Sequence, residues 1–115
     1  MEIKYKSEKR ENILVFTITQ NVVIHNHAAS LKEKIFLEIA DGNNAIVLDL
    51  SPVKEMDSSG LGALLFCKRQ ANNAGGNMVL VGVDPKVQTM IRIAQLTHVF
   101  EIFPSVEEAC ESFQD

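Results

Sequence analysis

Two adjacent hydroxyls stand where a loop gives way to a helix in the run Asp57-Ser58-Ser59-Gly60-Leu61-Gly62. Residues 45–50 before it are mostly apolar and of strand length, whereas the residues after it have helical character. Asp57 or Ser58 is therefore predicted to be the helix N-cap, with Ser58 and Ser59 beside the free amides of the first turn. A negative charge on either hydroxyl would lie at the positive end of the helix dipole. The run predicts an exposed position that can carry a phosphate.

Other interpretations of this run are possible. Asp and Ser are the preferred N-caps of helices in general, so an ordinary helix start stays open on local sequence alone. Gly60 and Gly62 lack the third glycine of a dinucleotide-binding fingerprint, and close packing of the helix on the sheet explains them better. The sequence has no Gly-x-Ser-x-Gly motif of a hydrolase nucleophile, and Ser58 would need a histidine that only folding could bring within hydrogen-bonding distance. We therefore expect neither an enzyme nor a cofactor.

The histidines and cysteines form no recognisable ligand set. His25 and His27 are separated by one residue with no third ligand nearby in sequence, so we expect solvated or capping groups and no metal site. His98 is isolated and is expected to be structural. Cys67 and Cys110 are far apart and lie on the apolar sides of predicted helices. We expect two buried free thiols, as in a protein of the reducing cytoplasm.

Length and composition favour one compact domain over residues 1–115. The chain has 115 residues with 46% hydrophobic content, which is enough for a core without disulfides or a structural metal. A net charge of −4, scattered Lys and Arg, and a single Tyr argue against nucleic-acid binding. Residues 1–10 lack the apolar core of a signal peptide, and no apolar stretch is long enough to span a bilayer. We expect a soluble cytoplasmic protein with no membrane partner.

Strand and helix patterns alternate along the chain. Residues 3–7, 13–19 and 22–24 are predicted as a β-meander with a hairpin turn at Glu11-Asn12. The later predicted strands are residues 45–50, 77–83 and 99–102, and residues 51–56 are predicted as a loop. The first predicted helix covers residues 26 or 27 to 40, and the second begins at Asp57 or Ser58 and ends at Gly75-Gly76. A third helix is predicted to begin at Asp84-Pro85, with the core stripe Val87, Met90, Ile91 and Ala94. The last helix is predicted to begin at the capping box Ser105-Val106-Glu107-Glu108.

This order of elements predicts an α/β fold. Strands that are apolar on both faces and alternate with helices imply a sheet with a parallel centre. The N-terminal hairpin would add an antiparallel edge. We therefore expect one domain with a mixed sheet that is covered mainly by four helices.

These residues resemble the STAS family, whose best-known members are bacterial anti-sigma-factor antagonists. The most specific part is Ile46-Val47-Leu48-Asp49-Leu50-Ser51 followed by Met56-Asp57-Ser58-Ser59-Gly60-Leu61-Gly62. Residues 75–81, Pro85-Lys86-Val87 and Leu96 are similar to the family's later strand and helix. The resemblance covers nearly the whole chain and implies a STAS-like fold.

The resemblance also implies a function that depends on protein binding. Ser58 would be the residue that a partner serine kinase phosphorylates, and Ser59 would help to shape the turn. Partner contacts would come from Asp57, Ser58, Ser59, Gly60 and Leu61. The implied kinase doubles as an anti-sigma factor and brings its own ATP, and a metal-dependent serine phosphatase reverses the modification. The unphosphorylated protein would bind the kinase and free the sigma factor.

One position departs from the family pattern. Family members usually have a Gly-x-Leu-Asp pattern ahead of the first helix, whereas this chain has Asn21-Val22-Val23-Ile24-His25. Ile24 thus stands in place of the acidic residue. A second interpretation therefore stays open, in which the protein is a non-switching STAS interaction or scaffold subunit of a stress-sensing or transporter assembly and Ser58 serves only as a cap.

Overall fold

Strands and helices alternate along residues 1–114, which are the residues that the computed structural model describes. The strands are β1 (Tyr5–Arg10), β2 (Ile13–Ile18), β3 (Val22–Val23), β4 (Ala45–Asp49), β5 (Glu55–Met56), β6 (Asn77–Val81) and β7 (Ile102–Phe103). The helices are α1 (His25–Ala40), α2 (Ser58–Asn73), α3 (Pro85–Ile93) and α4 (Val106–Glu111). None of these helices has the length and apolar character needed to cross a lipid bilayer.

The main sheet is mixed, with the strand order β1-β2-β4-β6-β7. β1 and β2 form an antiparallel hairpin, and every other neighbouring pair of strands is parallel. The central strands β4 and β6 are buried on both faces, which accounts for their continuous apolar sequence. The α/β class, the parallel centre and the antiparallel N-terminal edge are therefore confirmed.

The two faces of the sheet are covered by different helices. Alternate residues of each strand point to opposite faces, so Leu48 and Leu80 face one side while Val47 and Val79 face the other. The larger core lies between the sheet and α1, α2 and α3. The smaller core lies under α4, where Ala109 is fully buried. The prediction of a sheet covered mainly by four helices is confirmed.

The prediction of a β-meander is wrong for β3, and the prediction of a loop at residues 51–56 missed β5. These two short strands pair in parallel with each other, in a separate two-stranded sheet. The amides of Lys54 and Glu55 both donate to the carbonyl of Asn21, at 2.7 and 3.2 Å, and extend this pairing. Because β3 leads into α1 and β5 leads into α2, the small sheet holds the starts of the two helices side by side.

Several predicted element bounds also differ from the structure. β1 starts at Tyr5 and not at residue 3, because the amides of Ile3 and Lys4 donate to the side chains of Ser30 and Gln20, at 2.9 and 2.7 Å. Ala94, which was predicted to lie in the core stripe of α3, is exposed and is the C-cap of the helix, which ends at Ile93. The predicted strand at residues 99–102 is replaced by β7.

The cysteines follow the prediction in part. Both thiols are free, but only Cys67 is buried, whereas Cys110 is half-buried. Burial raises the pKa of the Cys67 thiol to about 12, so it stays protonated and unreactive at neutral pH. Cys67 is thus a core residue of α2.

Candidate functional site

The turn that carries the two serines begins helix α2. Asp57 is the N-cap: its backbone is extended, with φ −101° and ψ −177°, and its Oδ1 accepts a hydrogen bond from the Gly60 amide at 2.9 Å. Of the two predicted N-cap residues, Asp57 is therefore the cap and Ser58 is not. Ser58 is the first helical residue and is exposed, whereas Ser59 is half-buried. The Ser58 hydroxyl thus lies at the positive end of the α2 dipole, where a phosphate is tolerated.

The predicted partner-binding residues divide into an outer and an inner group. Asp57, Ser58 and Ser59 are at least partly exposed and can touch a partner. Gly60 and Leu61 are buried, and the Leu61 side chain is part of the main core with 8% of its surface exposed. These two residues therefore pack in the core beneath the turn and offer little exposed surface to a partner.

Gly60 and Gly62 have different roles. A Cβ at Gly60 would lie 2.6 Å from Met56 Cγ and 2.7 Å from the Val23 carbonyl oxygen, so α2 approaches the small sheet too closely for a side chain. A Cβ at Gly62 would have no heavy atom within 4 Å. Close packing is therefore the correct explanation for Gly60 and the wrong one for Gly62, which faces solvent.

The glycine pair gives a matched test of this packing. We expect Gly60→Ala to lower the free energy of unfolding by about 1–3 kcal/mol, because the added methyl group must displace β3 or the Met56 side chain. Gly62→Ala should instead stabilise the protein by about 0.5–1 kcal/mol, since alanine is preferred over glycine in an open helical position. Urea unfolding of both variants measures the difference. Equal effects would contradict the close approach at Gly60.

The second oxygen of Asp57 reaches a different helix. Its Oδ2 accepts a hydrogen bond from the His25 amide at 3.0 Å, at the first residue of α1. The N-cap of α1 is Ile24, which makes no side-chain cap, and the Ile24 amide donates to His27 Nδ1 at 3.2 Å. The prediction that these histidines are capping groups is thus confirmed for His27. The contact between Asp57 and His25 was missed, because it joins segments that are distant in sequence and carries no local pattern.

The environment of Asp57 favours its charged form. The hydrogen bond from the Gly60 amide holds the pKa of this carboxyl below its usual value, and the amides of His25 and Ser59 act in the same direction. Partial burial of the group opposes them by raising the pKa. Asp57 is therefore an anion at neutral pH, next to the Ser58 hydroxyl.

Replacing Asp57 with Asn is expected to cost more stability at neutral pH than in acid. Because the folded-state pKa lies below the usual value of 3.8, the stabilisation is present above that value and is lost as the pH falls through the folded-state pKa. Melting temperatures of both proteins between about pH 7 and pH 3 should therefore converge at the acidic end. Glu33→Gln, an exposed change in α1, serves as the control. A difference that stays constant over this range would contradict the assignment.

A groove runs between α1 and α2 and starts beside Ser59. Its volume is about 500 Å³, and its walls include His25, Ala29 and Phe66. Lys32 supplies a cation, with its Nζ 5.5 Å from the centre of the Phe66 ring. Within residues 1–114, no three His, Cys, Asp or Glu side chains lie close enough together to hold a metal ion. The exposed surface beside Ser58 and Ser59 thus has the apolar groove, the Lys32 cation and the Asp57 anion side by side.

Comparison with known families accounts for this arrangement. The sequence profile described as the STAS domain matches residues 4–109 of the chain. The chain belongs to the STAS domain family. A relative from Thermotoga neapolitana, named as a candidate anti-sigma factor antagonist and homolog of TM1081, is 29% identical over 105 residues. The match covers 90% of this STAS chain and 92% of the relative.

Solved structures share the STAS fold described above. The crystal structure of a candidate anti-sigma factor antagonist from Thermotoga maritima superposes with a TM-score of 0.90 at 23% identity, covering 96% of this chain and 95% of that one. The Bacillus cell fate determinant SpoIIAA in its phosphorylated form superposes with a TM-score of 0.74 at 20% identity, covering 96% and 99%. At these identities the two structures establish the fold, and the predicted STAS-like architecture is confirmed.

Proposed function

We propose that this STAS protein is an anti-sigma factor antagonist whose switch is phosphorylation of Ser58. Unphosphorylated, it binds a serine kinase that acts as the anti-sigma factor, and the sigma factor is released. The kinase brings its own ATP, and a serine phosphatase restores the binding form. The protein itself performs no catalysis in this scheme. The T. neapolitana relative is named as a candidate anti-sigma factor antagonist, which supports the antagonist part of the proposal.

The observation that carries the proposal is the position of Ser58. It is the first residue of α2 and is exposed, and the capping role belongs to its neighbour Asp57. Since the cap does not depend on Ser58, this hydroxyl can be modified without removing the hydrogen bond that starts the helix. Phosphoserine would add about −1.5 to −2 charges there, next to an existing carboxylate. The partner surface would thereby change sign locally while the fold stays in place.

The same observation weighs against the alternative of a constitutive scaffold in which Ser58 only caps the helix. In that alternative, replacing Ser58 with Ala should shorten or destabilise α2. The cap on the Gly60 amide comes from Asp57, so the structure provides no such dependence on Ser58.

The proposal is tested with the serine kinase that is encoded nearest to this protein and ATP labelled at its γ-phosphate. We expect one labelled site in the wild-type protein and in Ser59→Ala, and none in Ser58→Ala. Mass spectrometry of the labelled peptide identifies the position, and a metal-dependent serine phosphatase should remove the label. Undiminished label on Ser58→Ala would place the switch elsewhere. Tight binding of the kinase without any transfer would favour the scaffold.

A further inference from the structure

One carboxylate serves the N-termini of two helices. Asp57 Oδ1 accepts from the Gly60 amide of α2 at 2.9 Å, and Oδ2 accepts from the His25 amide of α1 at 3.0 Å. The free amides at a helix start need acceptors, and an Asp, Asn, Ser or Thr at the N-cap normally supplies one from the same segment. α1 has Ile24 at this position and no acidic residue in its first turn. Its side-chain acceptor therefore comes from the neighbouring turn.

We propose that Asp57 is a positioning residue that fastens the start of α1 to the turn carrying Ser58, at a helix start where Ile24 supplies no capping side chain. The inference rests on the proposed function in one respect, namely that a partner recognises this turn. Through the link, His25 is held beside Ser59, and both residues line the mouth of the groove between α1 and α2. The surface around Ser58 thus includes the first turn of α1 as a fixed part.

The backbone around Asp57 supports this role. Its own amide donates to the Val23 carbonyl at 3.3 Å, in line with the pairing of β3 and β5. Asp57 is therefore attached to the segment before α1 by its main chain and to α1 itself by its side chain. His27 does not substitute for it, because its Nδ1 receives the Ile24 amide, which lies outside the helix.

The link predicts different effects for two replacements of Asp57. Serine is a good N-cap, so Asp57→Ser should keep the acceptor for Gly60, but its single oxygen cannot also reach His25. We expect amide hydrogen exchange in the first turn of α1 to accelerate about fivefold, with little change at Gly60 or in β4. Asp57→Ala should accelerate exchange at the starts of both helices. Nuclear magnetic resonance follows these amides one by one.

A second change tests whether the lost acceptor is the cause. Adding Ile24→Asn to Asp57→Ser places an acceptor at the N-cap of α1, where the backbone is already extended, with φ −125° and ψ −173°. An N-cap side chain accepts from the second or third helical amide, so protection should return at Asn26 or His27, while the His25 amide stays without an acceptor. Ile24→Ala, which offers no acceptor, should not restore it. Unchanged exchange in Asp57→Ser, or equal rescue by Asn and Ala, would overturn the proposal.

The amides of β4 separate a local effect from general unfolding. If Asp57→Ser raises exchange throughout the chain, the comparison is repeated with Asp57→Asn, which also keeps one acceptor oxygen and has the shape of Asp. A general rise in that variant too, without rescue by Ile24→Asn, counts against the link. No kinase takes part in these measurements. A failure of Ser58 phosphorylation would therefore leave the result for Asp57 unaffected, and the reverse also holds.

Discussion

Replacing Ser58 with Asp is expected to weaken binding of the partner kinase on the order of 100-fold, which corresponds to a loss of about 3 kcal/mol. A charged group buried at an interface without a cationic partner costs several kcal/mol. Asp57 is already an anion at this position, so the added charge also meets repulsion. Ser58→Ala adds no charge and should bind permanently. Isothermal titration calorimetry with the purified kinase measures both affinities.

The Ser58→Asp substitution should leave the fold nearly unchanged. The dipole of α2 offsets the repulsion at its N-terminus by roughly 0.3–1 kcal/mol, so the melting transition of Ser58→Asp should resemble that of the wild type. Ser7→Asp, which adds the same charge on the exposed strand β1, is the matched control and should leave binding unchanged. Wild-type affinity in Ser58→Asp would show that the switch lies elsewhere or is absent.

Leu48→Ala is expected to lower the free energy of unfolding by about 2–5 kcal/mol. Leu48 is fully buried in the central strand β4, in register with Phe16 of β2 and Leu80 of β6. The sheet on both sides of it is continuous, so the neighbours can fill only part of the cavity. Urea unfolding with an unchanged m-value measures this loss.

Leu37→Ala makes the same chemical change on the exposed surface of α1, where Leu37 is 53% exposed. Its effect should stay within about 0.5 kcal/mol. A loss for Leu48→Ala no larger than that of Leu37→Ala would contradict the core assignment.

The parts of the fold that could be predicted from the sequence are those with a local pattern of apolar residues. The strands around Leu48 and Leu80 are continuously apolar, and α1 repeats its core residues at helical spacing, so the α/β class and the parallel centre of the sheet followed from the apolar pattern. The order of the strands within the sheet was not predicted. Asp57 could be assigned to the start of α2 because N-caps have a strong residue preference. Within the site, the position of the serine turn was thus predictable.

What the sequence could not predict depends on contacts between distant segments. β3 and β5 have two residues each, too few to show a period of two, and they pair only because the main sheet brings them together. The bond from the His25 amide to Asp57 exists for the same reason. Gly60 and Gly62 look alike in sequence, and only the folded structure, which brings Val23 and Met56 against Gly60, distinguishes them. Ala94 fits the apolar stripe of α3, but the helix ends before reaching it.

The pairing of β3 with β5 has a consequence for the order of folding. It closes a loop that contains the whole of α1 and β4, and the entropy lost on closure is recovered only when those elements have packed. We expect the position of the Ser58 turn against α1 to be set late in folding, after the core around it has formed. A nascent or damaged chain would display the same Asp57-Ser58-Ser59 sequence without this geometry. A kinase that recognises this geometry would therefore bind and phosphorylate only completely folded molecules.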